Sequence, residues 1–224
     1  MNHPSQVAVH TRGVRLWVLA TALSTLLCGL LASFTSSASE AETLFSARCA
    51  SCHGSEAKGT LLAPALAGQQ IDYLARQLKH FKSGLRGNHA KDVLGAQMVA
   101  VSSALDDAAV VAVSTYLSQL PQTRANSALT GSKAAAANQR RGYTYYHSTC
   151  GGCHGGKAEG NPLLNAPRLA GLSVEYLQRQ ILHFATGIRG TDKQDRYGRQ
   201  MAMMSKSLDK ETLADVIAFI AAQP

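Results

Sequence analysis

The sequence predicts an all-α protein made of two tandem copies of one helical unit. Three observations carry that expectation: a long internal repeat, apolar stripes with helical spacing in both copies, and one C-x-x-C-H pentapeptide near the head of each.

The repeat is unambiguous. Residues 62–87 and 165–190 are identical at 14 of 26 positions with a constant offset of 103. The matches include Tyr73-Leu74 with Tyr176-Leu177, His80-Phe81 with His183-Phe184, and Arg86-Gly87 with Arg189-Gly190. The same offset pairs Met98 with Met201, Ser102 with Ser205, and Leu105-Asp106 with Leu208-Asp209. Upstream the offset falls to 101, aligning Cys49 with Cys150, so the second copy gains two residues around Asn161-Pro162. Two copies are too few for a solenoid; this is a duplicated domain.

Within each copy the periodicity is helical. Gln69 to Lys82 carries Ile71, Leu74, Leu78 and Phe81 at three- and four-residue steps and ends near Gly84. Its counterpart carries Val174, Leu177, Ile181 and Phe184 and ends near Gly187. Asp106 and Asp209 are placed to N-cap the last helices. One face of the first is Val110, Val113, Leu117 and Leu120, matched in the second by Leu213, Val216, Ile217 and Ile220. No long alternating stretch argues for strands.

Composition bounds the function. Of 224 residues, 46% are hydrophobic and 16% charged, which excludes a disordered chain. The net charge of +8 is too modest to argue for nucleic acid. Aromatics are only 6%, so side chains alone would give each half a thin core that something else must fill. The start of the chain reads as a secretory signal over 1–38: Arg12 and Arg15, an apolar stretch from Leu16 to Phe34, then small residues with cleavage expected after Ala38 or Ala41. An uncleaved anchor is the rival reading. The remainder divides into a first domain at 39–121, an Ala/Ser/Thr/Asn-rich linker at 122–137 and a second domain at 138–224.

Cys49-Ala50-Ser51-Cys52-His53 and Cys150-Gly151-Gly152-Cys153-His154 carry the chemistry. Two residues between cysteines on a helical turn put both sulfurs on one side, where they can form thioethers to the vinyl groups of one haem. The adjacent histidine can then ligate the iron. A Cys₄ zinc site would leave both histidines unexplained, and a thioredoxin-like dithiol expects a βαβ setting that is absent.

On these motifs the chain after its signal resembles the class I cytochromes c, and among them the diheme cytochrome c4 family. It shows twice the order C-x-x-C-H, proline, middle helix, late methionine, closing helix. The resemblance implies two covalently bound haem c groups with iron ligands His53, Met98, His154 and Met201. It implies that the carbonyls of Pro64 and Pro167 accept a hydrogen bond from the ligand histidines. Basic groups in the loops after the middle helix neutralise haem propionates in that family, which assigns Arg86 and Arg189 that role. Met98 is the only methionine in 39–121, whereas Met203 and Met204 beside Met201 have no repeat partner. His80 and His183 are expected to be partly buried or near propionates, and His89 and His147 to lie on the surface.

Six-coordinate iron points to electron transfer rather than catalysis. The resemblance implies a periplasmic monomer, in part membrane-associated, that takes electrons from a quinol-oxidising complex or dehydrogenase and passes them to a terminal oxidase. The alternative is a permanent haem subunit of a dehydrogenase, such as flavocytochrome c sulfide dehydrogenase. One outcome follows from the duplication alone. Replacing Cys150 and Cys153 with alanine should halve the Soret absorbance and leave the first domain red and folded, as absorbance and limited proteolysis would report.

Overall fold

The computed structural model describes residues 39–122 and 138–224. The expected signal at 1–38, and all of the expected linker after Gln122, lie outside the described residues. From Ala41 to Pro224 the chain forms one compact unit. Among the described residues there are helices and no strands, with a single isolated bridge between Asn161 and Ala166.

The first copy contains α1 (39–48), α2 (Ala50–His53), α3 (Ile71–Lys82), α4 (Val93–Ser103) and α5 (Asp107–Gln119). The second contains α6 (Gln139–Tyr145), a wide π-turn (Tyr146–Cys150), α7 (Gly151–His154), a 3₁₀ turn (Pro162–Leu164), α8 (Val174–Ala185), α9 (Arg196–Ser205) and α10 (Lys210–Ala221). The 3₁₀ turn falls where the second copy gains residues. Asp106 and Asp209 cap α5 and α10 as the sequence predicts, accepting from Ala109 N–H and from Glu211 and Thr212 N–H. The middle helices begin two residues later than Gln69 and close just before Gly84 and Gly187.

In the first half Phe45, Leu74, Val113 and Leu117 meet in a buried cluster, with Phe45 and Tyr116 rings 5.9 Å apart. In the second, α10 packs on α6 and α8 to bury Tyr146, Leu177, Val216, Ile217 and Ile220. Gly142 on α6 permits that approach, since a Cβ there would lie 2.7 Å from the Asp215 carbonyl carbon. Asp215, buried on α10, accepts from Asn138 N–H at 2.7 Å and pairs with Arg141. Arg141 thus secures the start of the second half rather than standing free beside the linker.

The loop after each pentapeptide is closed by an unusual residue. Ala57 and Ala158 adopt left-handed φ of 54° and 58° and are fully buried. Left-handed backbone costs an alanine about 1–2 kcal/mol. Each carbonyl in return accepts two N–H groups from beyond the proline: Leu66 and Ala67 in the first half, Leu169 and Ala170 in the second.

Among the described residues no single helix is long and apolar enough to cross a membrane; α4 and α5 pass only together and are bent by 118° at their junction.

A glycine contact joins the loop after each middle helix to the next helix. Gly87 and Gly190 have φ of +84° and +78°, and a Cβ on either would lie 2.7 Å from the carbonyl carbon of Gly95 or Gly198. Gly190→Ala should therefore destabilise the second half by about 1–3 kcal/mol from overpacking, with backbone strain added. Gly152→Ala, with nothing within 4 Å, should be close to neutral. Denaturant unfolding followed by circular dichroism compares the two.

Candidate haem-attachment sites

Each pentapeptide forms one short helix, α2 or α7, that ends on its histidine. His53 and His154 are buried, each 5% exposed. Their Nδ1 atoms lie 2.8 Å from the Pro64 carbonyl oxygen and 2.9 Å from that of Pro167, so Nδ1–H donates to the carbonyl in both. Burial holds both imidazoles below the usual histidine pKa, against the opposing pull of the proline carbonyl. A neutral ring with its proton committed at Nδ1 leaves the Nε2 lone pair for a metal.

In each pair the first cysteine is half-buried and the second exposed, and no disulfide joins them. Burial pushes the Cys49 thiol up, and burial together with Cys153 pushes Cys150 up to about 11. A dithiol oxidoreductase needs the opposite shift. Among the described residues no three His, Cys, Asp or Glu side chains converge on a metal-sized site, so the two pairs do not assemble a zinc centre.

In the first half, Cys49, Cys52, His53, Pro64 and Met98 line one cavity with the apolar Leu74, Leu78, Val101 and Leu117. Leu172, Tyr176, Arg179 and Gln180 of the second half complete its wall. Met98 is half-buried on α4, and Met201 is half-buried at the same register of α9. Met203 and Met204 are exposed, at 67% and 43%.

Arg86 and Arg189 lie where the halves meet, 8% and 7% exposed. Arg86 donates to Gln77 Oε1 at 2.7 Å in its own half, and to Gln180 Oε1 at 3.0 Å and the Tyr176 hydroxyl at 3.1 Å in the other. Arg189 mirrors it, donating to Gln180 Oε1 at 2.6 Å and Gln77 Oε1 at 2.8 Å. Each guanidinium covers its own phenylalanine, Phe81 or Phe184, at 4.5 and 4.4 Å. Both Nε atoms are buried without a partner, and neither arginine is paired with a carboxylate among the described residues.

His80 is half-buried and His183 buried, and each faces an acid of the other half: His80 to Asp195 and His183 to Asp92, both at 3.8 Å. Those acids N-cap α9 and α4, the helices that carry Met201 and Met98. His89 and His147 are exposed, as expected.

Sequence reasoning missed Gln77/Gln180, Tyr73/Tyr176 and Asp92/Asp195. All are identical at the offset of 103, a signal that could have singled them out. It also missed Gln69, Gln70 and Arg76, which contact the other half; for the two glutamines no repeat signal exists.

The residues fit haem c. A cavity with two thiols, a free imidazole Nε2 and apolar walls suits a flat iron macrocycle. Two like charges buried together require an anion, which a propionate would provide. The cytochrome c family model matches residues 38–121 and again 139–223. The thiosulfate dehydrogenase electron acceptor of Thiomonas intermedia is 34% identical over 184 residues, 80% of this chain and 79% of that protein. The cytochrome c4 structure from Acidithiobacillus ferrooxidans superposes with a TM-score of 0.62 at 27% identity, covering 79% of this chain and 99% of that one. Thiosulfate dehydrogenase from Marichromatium purpuratum gives a TM-score of 0.64 at 27% identity, covering 84% of this chain and 40% of that one. With two matched domains and an attachment site in each, this chain belongs to the cytochrome c family, as a cytochrome c4-like electron-transfer protein with two covalently bound haem c groups.

Proposed function

We propose that this protein is a periplasmic carrier that takes electrons one at a time from a dehydrogenase or quinol-oxidising complex and delivers them toward a terminal oxidase. The observation that carries the reading is the pair of half-buried methionines at one register, with Met98 lining the same cavity as His53. His53 with Met98, and His154 with Met201, would hold the iron of a bound haem, and such ligation would favour electron exchange over substrate binding. When bound, each haem supplies reversible one-electron exchange at its iron.

The chain's own residues have separable duties in this reading. Cys49 with Cys52, and Cys150 with Cys153, hold the group covalently. His53 and His154 ligate, oriented by the carbonyls of Pro64 and Pro167. Met98 and Met201 supply the sixth ligand, Met203 and Met204 being too exposed. Arg86 and Arg189 would offer their buried, unpartnered Nε–H groups to propionates.

The relative that accepts electrons from thiosulfate dehydrogenase favours a dehydrogenase as donor. A second reading, a permanent subunit of a dehydrogenase, draws support from the similarity to part of a longer thiosulfate dehydrogenase chain. Export rests on the signal-like segment at 1–38.

Two measurements test this. Met98→Ala should remove about half of the far-red sulfur-to-iron band of the oxidised protein and lower one reduction potential, because a thioether favours reduced iron. Met203→Leu with Met204→Leu should leave both unchanged. Purification from native membranes and periplasm should yield the free chain, able to accept electrons from an added dehydrogenase such as thiosulfate dehydrogenase. A second chain that stays bound through high salt would instead establish the subunit reading.

A further inference from the structure

The first half reaches across the interface and holds the backbone on both sides of Pro167. Gln69, 6% exposed, donates from Nε2 to the Arg168 carbonyl at 2.9 Å and accepts from Arg168 N–H at 3.0 Å. Gln70 donates to the Ala166 carbonyl at 3.0 Å. Arg76 grips Asn165 twice, donating to its side-chain oxygen at 2.9 Å and its carbonyl at 2.8 Å. It also stacks over Tyr197 at 4.7 Å. Residues 165, 166 and 168 are thus each bound by a side chain of the other half, and Pro167 sits between them.

The arrangement is one-sided inside a symmetric protein. At the offset of 103, Gln69 and Gln70 become Leu172 and Ser173, and Ser173 is spent capping α8. Both loops are closed from within, the Pro167 loop by the Asn161–Ala166 bridge and the Pro64 loop by Thr60, but only the Pro167 loop is also held by glutamines of the other half. Thr60 Oγ1 donates to the Cys52 carbonyl at 2.7 Å and accepts from the N–H groups of Leu62 and Ala63. The second copy's loop is two residues longer, and its Leu163 is 92% exposed, so it has more freedom to remove. Gly160 admits Gln70 to this loop, since a Cβ there would lie 2.5 Å from its Nε2.

We propose that Gln69, Gln70 and Arg76 are positioning residues for the histidine ligand of the second haem. By clamping 165–168 they fix the Pro167 carbonyl, and with it the strength of the hydrogen bond from His154 Nδ1–H, so the first half sets the potential of the second. A strong Nδ1–H···O bond makes Nε2 a better donor and favours oxidised iron; a loosened one favours the reduced state. Deleting a nearby cation alone acts the other way, because positive charge disfavours the more positive iron. Uncharged substitutions therefore separate the two effects. The proposal rests on the haem reading of this site and is independent of the physiological partner.

The test uses the full-length protein with both haems attached, each assigned by the NMR resonances of His53 and His154. Gln69→Ala with Gln70→Ala should shift the electron distribution toward the second haem by about threefold or more; threefold is about 28 mV at 59 mV per decade. The His154 Nδ1 proton should exchange faster while that of His53 is unchanged. Arg76→Lys, which keeps the charge and loses the two-pronged grip, should move the potential in the same direction and serves if the double variant does not fold. An unmoved second haem, or an equal shift of both haems, would overturn the proposal, the latter showing only a loosened interface. Either failure would leave the carrier reading standing, because histidine–methionine ligation is read separately from the far-red band.

Discussion

Two guanidinium groups buried against one another set the terms for the rest of this structure. Arg86 and Arg189 share the side-chain oxygens of Gln77 and Gln180, one glutamine from each half. Like charges at such an interface repel strongly once water is excluded. Amide oxygens and the faces of Phe81 and Phe184 offset part of that cost, and no carboxylate among the described residues supplies the rest. In the function proposed, the anionic propionates of the haems would be the complement. On that proposal the interface and the cofactor sites share one electrostatic balance.

The same region governs the methionine-bearing helices. Asp92 and Asp195 cap α4 and α9, Gly95 and Gly198 let the loops beside the arginines touch those helices, and His80 and His183 reach the caps from the opposite half. A disturbance at one arginine thus has a short path to the helix that carries Met98 or Met201. Leu172, Tyr176, Arg179 and Gln180 also wall the first cavity. Each half retains its own apolar cluster, so the duplication supplies two cores while the interface makes their polar surroundings common.

Duplication leaves room for divergence where the copies stop being equivalent. Thr60 closes the shorter loop from inside and Asn161 the longer one, but the longer loop at 161–167 is in addition braced by Gln69, Gln70 and Arg76. An unequal brace on one proximal loop gives the protein a means of directing electrons without changing any ligand.

Much of this was legible before any coordinates. The pentapeptides determined the cofactor, because two thioethers and an adjacent imidazole leave little other chemistry at that spacing. The repeat determined the domain number, and the stripes on α3, α5, α8 and α10 the helices and their buried faces, because those signals are local or are copied at a fixed offset. The tertiary structure decided the rest. Arg86 and Arg189 read in sequence as loop cations after a helix, yet Arg86 finds two of its three partners 90 and 94 residues away and Arg189 one of its two 112 residues away. Gln69, Gln70 and Arg76 carry no motif, and what they hold is backbone, whose carbonyls and N–H groups are the same in every sequence. Periodicity and spacing report what a residue does to its own helix; which peptide group lies opposite is settled only when the two halves pack.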